Sequence, residues 1–130
     1  MKRKTKSPNH SSYMKKADSL FMPQFRGTHC EICQETRGTV GHHLISKSRS
    51  KALRYDIRNI LVLCQAHHCF GTDMAAHSTS HLVVERFHKW FRKNKPAQYA
   101  WIKEHERDQR KYSYLQAVEN MQEGRVAWDS

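Results

Sequence analysis

The chain has 130 residues, enough for one small domain with tails, and a formal net charge of +11 with its histidines neutral. That excess of cations points to a polyanionic partner, nucleic acid first, and no run is long or apolar enough to make a membrane span. Four cysteines, two in a tight pair and two beside histidines, read as metal ligands and not as a disulfide framework, which suits a soluble protein in a reducing cytoplasm.

Met1 to Ser19 carries Lys2, Arg3, Lys4, Lys6, Lys15 and Lys16 against a single acid, Asp18, and lacks the apolar core of a secretory signal. Its apolar residues are sparse, so residues 1–19 are expected to be a disordered basic tail able to touch phosphates. Residues 20–130 are then a single domain. Leu20 to Phe25 is apolar and is expected to cover its core. Gly27 and Gly38 bracket a Cys-x2-Cys knuckle and permit tight turns there. Thr39 to Ile45 reads as a short strand and Ile60 to Leu63 as a second, buried one. Between them runs a loop rich in Lys47, Arg49, Lys51, Arg54 and Arg58, with Asp56 its only acid. Cys64 to Phe70 should start a helix that Gly71 breaks. Beyond residue 80, Leu82, Val83, Phe87, Trp90 and Phe91 recur at helical spacing up to Pro96. Further helices are expected over 97–107 and 113–122, the last with Leu115, Val118 and Met121 on one stripe. The fold class is therefore α+β: a small two-stranded, metal-stapled core packed by C-terminal helices.

The chemistry concentrates between Cys30 and His77. Zinc prefers four cysteine and histidine ligands in a tetrahedron, and Cys30-x2-Cys33 has the bite for two of them. Cys64-x2-His67 repeats that spacing, which gives a Cys3His structural site able to supply on the order of 10 kcal/mol toward folding. Cys69 competes for the fourth position, with a looser spacing from Cys64. Once His67 is on zinc, His68 is left over, and adjacent helical residues point about 100° apart. His42 and His43 alternate across their strand in the same way, so only one of them can face a given target.

His42-His43, Asn59 before an apolar strand, and His68 and His77 after it together resemble the HNH nuclease motif. The paired Cys and Cys/His knuckles resemble the zinc-stapled branch of that family, common in phages and bacteria. The resemblance covers about residues 28–80 and leaves the basic tail and the helical layer over 81–122 aside. It implies a ββα-metal hairpin of strand, loop, strand and helix around one divalent ion. It implies His43 as general base, Asn59 as the residue that ties the loop and helps orient the base, and His42, His68 and His77 as ligands of a catalytic magnesium, manganese or nickel ion. Two departures stand out. The second knuckle ends in His67 where cysteine is commoner, and nine positions separate His68 from His77, so residues 69–76 must loop out. His81 is an alternative last ligand, and Asp73 a more distant one.

The activity implied is endonucleolytic hydrolysis of DNA with weak sequence preference, in which Lys47, Arg49, Lys51, Arg54 and Arg58 contact phosphates. The competing reading is a non-catalytic zinc module that binds DNA or assembles with a partner. It would need only the knuckles and the basic surface. A place in a larger DNA-processing complex is compatible with either, as is a monomer or a homodimer.

Overall fold

A computed structural model describes residues 10–108 and 112–127. Its order is α1 (His10–Phe21), β1 (Val40–His43), β2 (Ile60–Leu63), α2 (His81–Asn94), α3 (Pro96–His105) and α4 (Tyr114–Gln122), with a 3-10 turn at Met22–Phe25 and another at Ile57–Asn59, and a wide π-type turn at Ala66–Phe70. The chain is thus mixed α and β. No described helix is long and apolar enough to cross a membrane.

The two strands pair antiparallel, with Val40 opposite Leu63, Gly41 opposite Val62, His42 opposite Leu61 and His43 opposite Ile60. Directly opposed residues share a face of the sheet, and successive residues alternate. One face therefore presents Leu61 and Leu63, which join Phe87 and Phe91 of α2 and Ile102 of α3 in one buried cluster. The other presents Ile60, which joins Ala17 and Phe21 of α1 and Tyr114, Ala117 and Val118 of α4 in a second. His42 falls on the first face and His43 on the second.

Local signals explain the C-terminal helices. Ser80 caps α2 by accepting the Val83 N–H, and Val83, Phe87 and Phe91 recur every four residues on its buried side. Pro96 opens α3, where its missing N–H costs nothing. Ser113 caps α4 by accepting the Gln116 N–H.

Two expectations need correction. Helix α1 occupies His10–Phe21, so most of it falls in residues 1–19, the stretch expected to be disordered. Tyr13, Met14, Ala17 and Phe21 form a stripe on it that gains its stability by packing on α4, a partner far away in sequence. Lys2, Arg3, Lys4 and Lys6 lie outside the described residues. On α4 the buried stripe is Tyr114, Ala117 and Val118, while Leu115 points outward at 39% exposure.

Candidate metal centres

The cysteine knuckle is a tight turn in which the Cys30 N–H donates to the Glu35 carbonyl and the Gln34 N–H to the Cys30 carbonyl, both at 2.8 Å. Gly27 and Gly38 adopt the left-handed backbone on either side of it (φ 76° and 66°). Glu31, between the two cysteines, fastens the turn to β2. Its N–H donates to the Val62 carbonyl at 2.9 Å, its carboxylate accepts the Val62 N–H at 2.8 Å, and Lys95 reaches the same carboxylate at 2.6 Å. β2 then runs directly into Cys64, and the π-type turn swings His67 back beside it.

Cys33 Sγ lies 3.7 Å from Cys64 Sγ, and His67 Nδ1 lies 3.7 Å from Cys30 Sγ and 3.3 Å from Cys64 Sγ. A zinc ion with sulfur bonds of about 2.3 Å and a nitrogen bond of about 2.0 Å has tetrahedral edges of roughly 3.8 Å and 3.5 Å. The observed separations match those edges, and all four donor atoms fall within 4.8 Å of one another. The residues fit a structural zinc site. Burial raises the Cys30 thiol, but the backbone amides of Cys33, Cys64 and Ile32 outweigh it and hold the thiol below its ordinary 9.0. Cys33 is pushed up to about 11 by burial and by the Cys64 and Cys30 sulfurs. Several thiolates this close repel one another until a cation holds them. Cys69 stands apart from this set, with its sulfur 3.4 Å from His68 Nδ1.

The second group is built by the other products of the same elements. His42 points from β1 toward α2, where its ring meets Phe87 at 6.0 Å between centroids. His68 follows His67 on the π-type turn and faces away from the knuckle. The loop after it is zipped back by backbone bonds from the Ala76 N–H to the His67 carbonyl (2.8 Å) and from the His77 N–H to the His68 carbonyl (2.7 Å). That zipper is how nine positions of separation close into one site. The three rings stand 4.9–5.3 Å apart, and one ligand nitrogen from each lies within 4.8 Å of the others. One ion could be held there. His77 occupies the third place, while His81 begins α2 outside the group and Asp73 pairs with Arg86. Burial, helped by His77, His68, His43 and His88, pushes His42 down to about 3, and burial with His77 also lowers His68. Both imidazoles are therefore neutral at pH 7, the form that binds metal.

His43 faces the other way but lines the same hollow of about 250 Å³, together with His42, His68, His77, Ser46 and Lys47. Its Nε2 lies 2.8 Å from the Arg54 carbonyl oxygen. A carbonyl can only accept, so Nε2 carries the proton and Nδ1 keeps its lone pair. Burial drives His43 down to about 4, with Lys47 and the Arg54 charge adding to it.

Asn59 is fully buried and ties the intervening loop. Its Oδ1 accepts the Ile45 N–H (2.7 Å), and its Nδ2 donates to the carbonyls of Ile45 (3.0 Å) and Leu53 (3.1 Å). These side-chain hydrogen bonds go to Ile45 and Leu53, while His43 is held by the Arg54 carbonyl, one residue past Leu53.

The predicted phosphate contacts divide. Lys47, Arg49 and Lys51 are exposed. Arg54 is 8% exposed and closes a two-pronged ion pair with Asp18 (3.0 and 2.8 Å), so it serves the fold and does not face a phosphate. Arg58 is held twice by Asp56 (2.9 and 2.7 Å) and lies over the Trp101 ring at 4.7 Å. Sequence reasoning missed Asp18, although a lone acid in a basic run was the available signal. It also missed Glu31 and Lys95, whose pairing across 64 positions leaves no local trace.

No family model, curated protein or solved structure matches the chain.

Proposed function

We propose that this chain is a metal-dependent endonuclease of the HNH kind, with β1, β2 and the π-type turn as its ββα-metal core. The observation that carries the reading is the company His43 keeps. A neutral imidazole with one nitrogen committed to a carbonyl and the other unprotonated shares a hollow with three histidines able to hold an ion. That is the equipment for drawing a proton from water beside a phosphodiester.

A divalent ion on His42, His68 and His77 would withdraw charge from the scissile phosphate and stabilise the leaving 3′ oxygen. An all-imidazole set favours nickel-like transition ions over magnesium. His43 takes the proton of the attacking water at Nδ1. Its lowered pKa leaves it unprotonated, and so ready to accept, throughout the neutral range. Lys47 meets the phosphate at the rim of the hollow, with Arg49 and Lys51 along the DNA strand beyond. Zinc on Cys30, Cys33, Cys64 and His67 would hold β2 and the turn that carries His68. A reducing cytoplasm would keep its thiols available for metal.

The test is relaxation of supercoiled plasmid by zinc-loaded protein with magnesium, manganese or nickel. Conversion to open circle that needs added metal and disappears in His43→Ala supports the reading. DNA binding without cleavage under every metal would favour the non-catalytic zinc module instead.

A further inference from the structure

We propose that Asp18, on the N-terminal helix, is a positioning residue for His43, acting through the backbone of Arg54. Its consequence for catalysis rests on the nuclease reading, while its geometry does not.

The oxygen that fixes the His43 ring belongs to the peptide unit between Arg54 and Tyr55. That unit lies in a run of turns between the strands, where no ladder sets the direction of its carbonyl. Its two flanking side chains both end on Asp18. Arg54 donates to the carboxylate through Nε (3.0 Å) and Nη2 (2.8 Å), and the Tyr55 hydroxyl is shared between the carboxylate (2.7 Å) and the Met14 carbonyl (3.1 Å). Asp18 therefore grips the peptide from both sides. Asn59 holds the preceding residue through the Leu53 carbonyl (3.1 Å).

The arrangement asks more of the molecule than packing requires. Burying the Arg54 guanidinium costs desolvation that an apolar side chain would avoid, and its pairing with the half-buried Asp18 goes mainly to offset that cost. What a bidentate carboxylate–guanidinium fork does supply is direction, because it fixes a plane and not only a distance. The direction fixed here is that of the Arg54–Tyr55 peptide, and through it the tautomer and tilt of His43. Supporting shells act on metal-site and catalytic imidazoles in this manner. The two-faced sheet explains why this role falls to α1. His43 lies on the face covered by α1 and α4, while the zinc knuckle and α2 act on the other.

The test uses full-length, zinc-loaded protein at one neutral pH and compares Asp18→Ala, Asp18→Asn and Arg54→Lys. Long-range proton–nitrogen NMR of the imidazoles reports which ring nitrogen of His43 is protonated, with the signal assigned by its loss in His43→Gln. Wild type is expected to show the Nε2–H tautomer alone, Asp18→Ala a mixture of tautomers, and Asp18→Asn a partial return. In the plasmid assay kcat should fall about tenfold in Asp18→Ala with KM unchanged, as expected when a group is misaligned and binding is not lost. An unchanged His43 tautomer in Asp18→Ala would overturn the proposal, whatever happened to thermal stability. If Asp18→Ala does not fold, Arg54→Lys decides, because it keeps the charge and loses the fork; an unaltered tautomer there overturns the proposal equally. A wild type that cleaves nothing, with a tautomer that still shifts in the variants, would uphold the positioning and remove the nuclease reading.

Discussion

Asn59 has no accessible surface, and its amide satisfies three backbone groups of the loop between the strands. Asn59→Ala would strand those groups in the interior, at a cost of about 2–4 kcal/mol. Asn59→Asp should cost more, since a carboxylate cannot donate and would face the Ile45 and Leu53 carbonyls. Urea unfolding of the zinc-loaded proteins measures both, and an Asn59→Ala midpoint equal to wild type would contradict the account. Asp18 makes a prediction in pH. Burial pulls its pKa up, but the bonds from Arg54 and Tyr55 outweigh that and hold it below its ordinary 3.8. A carboxylate with a lowered folded pKa stabilises the fold above its unfolded pKa and loses that contribution as pH falls through the folded value. The melting temperature of wild type should therefore exceed that of Asp18→Asn at pH 6, with the gap closing below about pH 4. Taking the difference between the two proteins removes the acid sensitivity of the zinc site, which both share. A gap that stays constant to pH 3 would show that the Asp18 charge does not contribute.

At the level of elements, the zinc knuckle, β2 and the π-type turn form one unit. Stripping zinc with a strong chelator should remove stability on the order of several kcal/mol and lower helix content through loss of the core that α2 and α3 cover. Cys64→Ser should lose the tightly held zinc, and Cys69→Ser should keep it; the reverse pattern of zinc content would refute the ligand set. β1 is constrained by close approach. A Cβ on Gly41 would sit 2.7 Å from the Phe25 ring and 3.0 Å from Ile60, so Gly41→Ala should destabilise by about 1–3 kcal/mol and move the His42–His43 pair. These elements also show what a sequence can reveal. The strands and the Cys/His cluster that could hold zinc were legible because their signals are local: a period of two, an apolar run, a repeated two-residue spacing. The looping-out of residues 69–76 followed from the need to return His77. Helix α1 was not legible, because Tyr13, Met14, Ala17 and Phe21 are too few to imply a helix without α4. The role of Arg54 was misread for the same reason. A buried arginine and a phosphate-binding one look alike until Asp18 is placed beside it, whereas Arg58 stays exposed beside Asp56.

For the molecule as a whole, two helical layers clasp a two-stranded sheet, and each layer serves a different histidine of β1. The α2–α3 side buries His42 near the candidate metal site, and the α1–α4 side backs the segment that holds His43. The net charge of +11 belongs to this scale as well. If Lys47, Arg49 and Lys51 each meet a phosphate, they add about −2.7 to the slope of log K against log salt, or roughly a 40-fold loss between 50 and 200 mM. Replacing all three with alanine should flatten the measured slope by that amount, and an unchanged slope would place the DNA elsewhere. Under the proposed function, one chain would carry two metal centres of different kinds, one that holds the fold and one that acts. The most direct measurement is metal content and plasmid cleavage on the same samples, after dialysis against a mild chelator and then titration with manganese or nickel. The account predicts one retained zinc per chain with no cleavage, then cleavage rising to a plateau as a second ion binds, with that second ion lost in His42→Ala. Full activity in protein holding zinc alone, or tight binding of a second ion that never produces cleavage, would contradict it.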